Sequence, residues 1–313
     1  MSSTFGTICR LTTFGESHGP CIGMVLDGLE SGLEVDLSFI RSLLARRRPS
    51  HSFETSRVEA DELHIESGIK DGRTTGDPLC MLIENKAHDD KSCIKGFYRP
   101  GHGDYVYSQR FENANLLGGG RYSGRETAAR VAAGAIAMLA LKKKGIELSS
   151  ALVQAGLETD PERFETAIDN ARCNKDSIGG IILLRASGLP IGLGEPIFDK
   201  AEALLSHAIM SIGSVKAISF GDLDLSSALS NNQKASGGMV AGLTDGTELL
   251  ARVTFKPTPS IAAEQNILFQ DGTVQSMSLE GRFDAFLGYR IGCVIEAMAA
   301  LSLLDMWYMR YGR

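Results

Sequence analysis

The sequence predicts a mixed α/β protein on two observations. Strand-like apolar runs recur around residues 7–13, 20–28, 62–67, 79–84, 179–186 and 249–255, and segments with helical periodicity lie between them. The alternation returns in both halves of the 313-residue chain without clear internal repetition and with no clear linker, which allows one large domain or two fused halves.

The first helix follows Asp36. It carries Phe39, Ile40, Leu43 and Leu44, then Arg46, Arg47 and Arg48, and stops at Pro49. Cations at that end meet the negative pole of the helix dipole. A second helix opens on the capping box Ser123-Gly124-Arg125-Glu126 and runs through an alanine-rich stretch to Lys144, with Gly145 as terminator. Residues 146–176 are polar and poorly periodic, and are expected to form a peripheral excursion. A third helix starts at Asp199-Lys200-Ala201-Glu202 and runs toward Ser211, and a fourth spans roughly 288–310. Its most apolar run, Ile291 to Leu304, contains Glu296 and is too short to span a bilayer, which makes it a core helix.

Composition narrows the function. With 32 basic and 38 acidic residues the formal charge is −6, so whole-protein attraction to nucleic acid is not indicated and any anion site must be local. The six cysteines are scattered, with no close pair for a metal or redox motif, and the first six residues lack a basic and apolar leader. A reduced, cytoplasmic setting is expected. No metal site is expected either, because the histidines are not at helical ligand spacing and lack cysteine partners.

Two histidines lie in glycine-bracketed, irregular segments: His18 in Gly15-Glu16-Ser17-His18-Gly19-Pro20 and His102 in Arg99-Pro100-Gly101-His102-Gly103-Asp104. Histidine exchanges protons near neutrality, and flanking glycines admit a substrate close to the backbone, so acid–base chemistry is one reading and buried structural histidines the other. Gly118-Gly119-Gly120-Arg121-Tyr122-Ser123 precedes a capped helix whose free amides favour an anion such as phosphate, although the glycine spacing is not a nucleotide fingerprint. Lys256-Pro257-Thr258-Pro259-Ser260 presents a cation and two hydroxyls on a proline-stiffened backbone. Gly281-Arg282-Phe283-Asp284 sets a guanidinium and a carboxylate before the last helix. The arginine run 46–48 is either a solvated face or, with His102 and Arg121, part of one convergent site that is electropositive within an acidic protein.

These segments, with Gly192-Leu193-Gly194-Glu195-Pro196 and Arg125-Glu126-Thr127, resemble the chorismate synthase family in its own order across almost the whole chain. The resemblance implies a single domain over 1–313, a β-α-β sandwich with helices packed between antiparallel sheets, assembled as a homotetramer. It implies a lyase that eliminates phosphate 1,4 from 5-enolpyruvylshikimate 3-phosphate to give chorismate, the last step of the shikimate pathway, with reduced FMN required but not consumed. By position, His102 would protonate or stabilise the departing phosphate or the reduced flavin. His18, supported by Ser17, would be the second proton-transfer group, and Asp284 would relay the proton. Arg47, Arg48 and Arg125 would meet the substrate anions, and Arg121, Ser123, Lys256, Thr258, Ser260 and Arg282 would hold FMN or its phosphate. Some relatives also have an NADP-linked flavin reductase activity, for which no nucleotide motif is present here.

The chain departs from the family pattern in several places. Phe283 replaces the usual histidine of Gly-Arg-His-Asp-Pro, Tyr122 the usual serine, Gly213-Ser214 an Asn-Ala pair, Ala241 a glycine and Phe53 an arginine. Two other readings therefore stand beside the active enzyme: a non-catalytic flavin- or anion-binding relative, and a structural oligomer retaining the fold.

Overall fold

The computed structural model describes residues 3–55, 59–86, 96–221, 236–281 and 283–313. The N-terminal half supplies β1 (Thr4–Phe5), β2 (Arg10–Gly15), β3 (Cys21–Asp27), α1 (Leu37–Arg47), β4 (Leu63–Ser67), the short ladder β5 (Ile69–Lys70) and β6 (Arg73–Thr74), and β7 (Leu79–Glu84). Five of these strands form an antiparallel sheet in the order β1-β2-β3-β7-β4. Period-two alternation explains its buried face: Ile22, Met24 and Leu26 stand opposite Ile83, Met81 and Leu79, and all six are essentially inaccessible.

The chain continues through α2 (Asp104–Arg110), α3 (Thr127–Lys143), β8 (Glu147–Ala155), α4 (Phe164–Cys173), β9 (Gly180–Ser187), α5 (Ala201–Met210) and β10 (Val215–Phe220). It ends with the ladder β11 (Met239–Val240) and β12 (Leu243–Thr244), then β13 (Leu249–Phe255), the hairpin β14 (Glu264–Leu268) and β15 (Val274–Ser278), and α6 (Gly288–Tyr311). The second sheet, also antiparallel, has the order β10-β13-β9-β8.

Between the sheets lie α3 and α6. The first packs on β3 and β7 and the second on β8 and β9, while the two helices pack on each other. The alanines of α3 permit this closeness, and Gly134 marks the tightest approach: a Cβ there would lie 2.3 Å from the Cβ of Ala297. This is the predicted layered sandwich. The last helix, at 24 residues, is long and apolar enough to cross a bilayer, yet 94% of its apolar 18-residue window is buried inside the protein. It is the core helix expected from the apolar run Ile291 to Leu304 with Glu296 inside it.

Three local expectations change. The 146–176 excursion instead contains β8, paired along its length with β9, and the amphipathic α4 buried at Phe164, Ile168 and Ala171. An edge strand solvated on one face reads as polar in sequence, which hid it. The run 7–13 is not one strand, because the amides of Thr7, Ile8 and Cys9 turn inward to the carboxylate of Asp305 on α6, at 2.7–2.8 Å. The capping box is half formed: Ser123 Oγ accepts from the Arg125 amide, but Glu126 accepts instead from Thr13 Oγ1 at 2.6 Å and from Arg130 Nε at 2.8 Å.

Candidate active site

A cavity of about 900 Å³ opens where the C-terminal end of α1, the glycine segment before α3, the loop after β13 and the start of α6 meet. Among the described residues, eight cationic side chains line it (Arg47, Arg48, Arg99, Arg121, Arg125, Arg130, Lys256 and Arg290) against four carboxylates, Glu59, Glu126, Glu280 and Asp284. The cleft is electropositive in a chain of net charge −6, as a convergent anion site requires.

Helical geometry sorts the three consecutive arginines. Successive residues point about 100° apart, so Arg46 turns toward α6, pairing through both terminal nitrogens with Glu296 at 2.7 Å, while Arg47 and Arg48 reach the cavity. The buried Arg47 Nε and Arg48 Nε have no hydrogen-bond partner. Buried donors without a partner are uncommon in folded proteins.

His102 lies in the wall, and its Nε2 shares a 2.7 Å hydrogen bond with Ser260 Oγ. Burial, and then the positive charges of Arg99 and Lys256, push its pKa down to about 4, so the imidazole is neutral at physiological pH. Its loop is held by Asp104, a fully buried carboxylate. That group accepts from Arg99 Nε at 2.9 Å, Arg99 Nη2 at 2.7 Å, the Arg99 amide at 3.0 Å and Tyr122 Oη at 2.6 Å. Burial alone would raise the Asp104 pKa, but these donors hold it below the ordinary carboxylate value. Burial and the bond to Asp104 push the Tyr122 phenol upward.

Asp284 also lines the cavity. The Thr55 amide donates to its Oδ1 at 2.7 Å, Arg290 Nη2 donates to the same oxygen, and Arg290 Nε stands 2.9 Å from Glu54. Lys256, lowered in pKa by burial and then by Lys216, donates to the carbonyl of Gly101 at 3.1 Å. Thr258 Oγ1 donates to the carbonyl of Asp284, tying the proline-stiffened loop to the start of the last helix.

Of the residues expected from sequence, His102, Asp284, Arg47, Arg48, Arg125, Arg121, Ser123, Lys256, Thr258 and Ser260 all line this one cavity. Ser17 and His18 do not. Ser17 is buried with its amide donating to the carbonyl of Gly120, and the His18 ring lies against Gly118, where a Cβ would meet its Cδ2 at 2.2 Å. Their loop is fastened by Asn85 Nδ2, which donates to the carbonyls of Glu16 and Gly19. Arg121 borders the cavity, but its terminal nitrogens donate inward to the carbonyls of Gly15 and Thr13 and to Thr13 Oγ1. Arg282 lies outside the described residues.

The departures divide likewise. Tyr122, Phe283, Gly213 and Ser214 line the main cavity. Phe53 packs on His51 beside a second cavity of about 220 Å³ that shares Ser260, Phe283 and Asp284 with the first. Ala241 lines neither; it forms the turn between β11 and β12 with φ 55°. Sequence reasoning passed over Arg99, Asp104, Glu59, Asp61 and Arg290. Only Arg99 and Asp104 carried a signal, since both flank His102 in its own motif.

Fold and site together define an α/β sandwich enzyme with a cationic cleft and a half-buried, neutral histidine in its wall. The particular family follows from comparison with known proteins. Residues 9–308 match the chorismate synthase family. The chain is 42% identical to the chorismate synthase of Wolinella succinogenes, covering 98% of this chain and 95% of that one. It is 42% identical to that of Nitratiruptor sp. (97% and 95%) and 39% to that of Sulfurovum sp. (99% and 97%). A solved structure described as a crystal structure of chorismate synthase shares the fold with a TM-score of 0.76 at 23% identity, covering 98% of this chain and 94% of that one. The chain belongs to the chorismate synthase family and is a lyase.

Proposed function

We propose that the chain converts 5-enolpyruvylshikimate 3-phosphate to chorismate and phosphate. The observation that carries this is the convergence of Arg47, Arg48, Arg125 and Lys256 with His102 and Asp284 on one cavity, although they come from five separate segments of the sequence. In the reaction the C–O bond to phosphate breaks and the phosphate leaves with the bonding pair, while the C–H bond across the ring breaks, its pair enters the new double bond and the hydrogen leaves as a proton. Arg47, Arg48 and Lys256 bind the substrate anions and stabilise charge growing on the departing phosphate; removing one such donor commonly costs roughly 10²–10³ in rate.

Neutral His102 is positioned to take up a proton once an anion arrives, because a nearby negative charge opposes the effect of Arg99 and Lys256. Nε2, already engaged by Ser260, is the atom that holds or passes that proton. Asp284, fixed by the Thr55 amide and Arg290, is an acceptor lining the same cavity. His18 acts from behind Gly118, where its ring packs against the glycine segment.

The cleft fits reduced FMN as cofactor. Lys256 keeps donors beyond its bond to Gly101, Ser260 and Ser123 add hydroxyls, and Gly118 and Gly119, with φ of 55° and 86°, leave bare backbone beside them. Held there by these residues, reduced FMN would supply transient electron donation that is returned by the end of the reaction. A homotetramer and a cytoplasmic location complete the reading. Exposed Ile191, Ile197 and Phe198 support association between copies.

An anaerobic assay with chemically reduced FMN tests the proposal by following chorismate and phosphate together. Coupled formation of both, lost in His102→Ala, is expected; FMN binding without either product would refute it.

A further inference from the structure

We infer that Asp61 is a positioning residue that holds the substrate-facing arginines in one arrangement. The inference rests on the proposed use of the cleft for a phosphorylated substrate. The Asp61 side chain is fully buried and outside the cavity lining, directly behind the arginines. Arg125 Nη1 donates to its Oδ1, Arg47 Nη2 donates to its Oδ2 at 3.0 Å, and Arg48 Nε stands 3.9 Å from Oδ2. One carboxylate thus gathers three guanidinium groups drawn from α1 and from the turn before α3. Three positive charges against one negative leave +2 at this end of the cleft, complementary to a phosphate dianion.

The backbone supports the assignment. Asp61 has φ 51°, a left-handed conformation uncommon outside glycine and best tolerated by Asn and Asp. Such conformations persist where surrounding contacts over-determine them. Arg125 is fixed on its other sides by Asn85 Oδ1 at 2.8 Å and the carbonyl of Glu84 at 3.1 Å, so a shift of Asp61 would be transmitted to Arg47 and Arg48.

Charge and positioning predict opposite results for Asp61→Asn, which keeps the shape and tolerates the backbone. Removing a negative charge makes the cleft more positive, so a purely electrostatic role predicts tighter anion binding. A positioning role predicts weaker binding of the shaped substrate, whereas inorganic phosphate, which needs no fixed arrangement, binds as well or better. Calorimetric titration of the full chain with 5-enolpyruvylshikimate 3-phosphate and, separately, with inorganic phosphate reads both affinities without turnover.

We expect the substrate Kd to rise about 10- to 100-fold, the range for losing a hydrogen bond to a charged group, at unchanged stoichiometry and with no loss of phosphate affinity. An unchanged or tighter substrate Kd, or parallel weakening of both ligands, overturns the inference. Should Asp61→Asn not fold, Asp61→Glu keeps the charge but displaces it, and the same divergence of the two affinities decides. If the unaltered protein binds phosphate but not the substrate, the proposed function fails and the inference falls with it; if the unaltered protein binds substrate and only the variant comparison fails, the function stands and Asp61 is structural.

Discussion

Replacing His102 by Gln should flatten the acid side of the stability curve, because its imidazole is neutral in the folded protein over a range in which the unfolded chain is protonated. Its pKa falls from 6.5 to about 4 on folding, through burial first and the charges of Arg99 and Lys256 second. The folded value lies below the unfolded one, so the unfolded state takes up the proton first. Stability is therefore lost as pH falls from 6.5, and the loss is complete below about 4. At 1.36 kcal/mol per pH unit the full effect is about 3 kcal/mol. Urea unfolding at fixed protein concentration, followed by circular dichroism between pH 7.5 and 4, measures it. The variant should gain about 3 kcal/mol on the parent protein between those limits. In carbon-edited NMR, the histidine resonance that disappears in the variant should titrate near 4 in the parent and move upward when phosphate-bearing substrate is added. Parallel stability curves, together with a midpoint near 6.5, would refute the account of a desolvated imidazole between two cations.

Three further outcomes follow from the geometry. Tyr122→Phe deletes the 2.6 Å bond to the buried Asp104 and should lower unfolding free energy by about 1–3 kcal/mol, with a fall in kcat because the His102 loop loses an anchor; melting and single-turnover rates on the same sample check both. Asp284→Asn keeps the shape but removes the charge that Arg290 and the Thr55 amide hold, and should cost roughly 10²–10⁴ in kcat with FMN affinity little changed; flavin titration alongside the anaerobic assay separates the two. Gly134→Ala would place a Cβ 2.3 Å from that of Ala297 where the two central helices touch, so the overpacking should destabilise the protein by about 1–3 kcal/mol or more, visible as a lowered urea midpoint.

The comparison between sequence and structure turns on which signals are local. Strands 21–27, 63–67, 79–84, 180–187 and 249–255 were legible within a residue or so, and so were the helices 37–47, 201–210 and 288–311. Each buries one face, or in the last helix nearly every face, against a continuous core, and burial imposes a period on the residues themselves. The strand at 147–155 escaped because its outer face is solvated, and Glu126 left its capping role because Thr13, brought by the first sheet, offered a buried partner.

The site divides the same way. Motif residues such as His102, Arg47, Arg48 and Lys256 could be named from the chain alone, since glycine, proline and charge at short spacing are local facts. Their meeting in one cavity could not, and neither could the inward commitment of Arg121, the placement of His18 against Gly118, or the role of Asp61. By itself the sequence determined the element types, the acidic whole with its cationic segments, and the family pattern. The tertiary structure alone decided which charges face one another and which face the cleft. Desolvation and pairing depend on distances between segments remote in the chain, and the chain's own order carries no record of those distances.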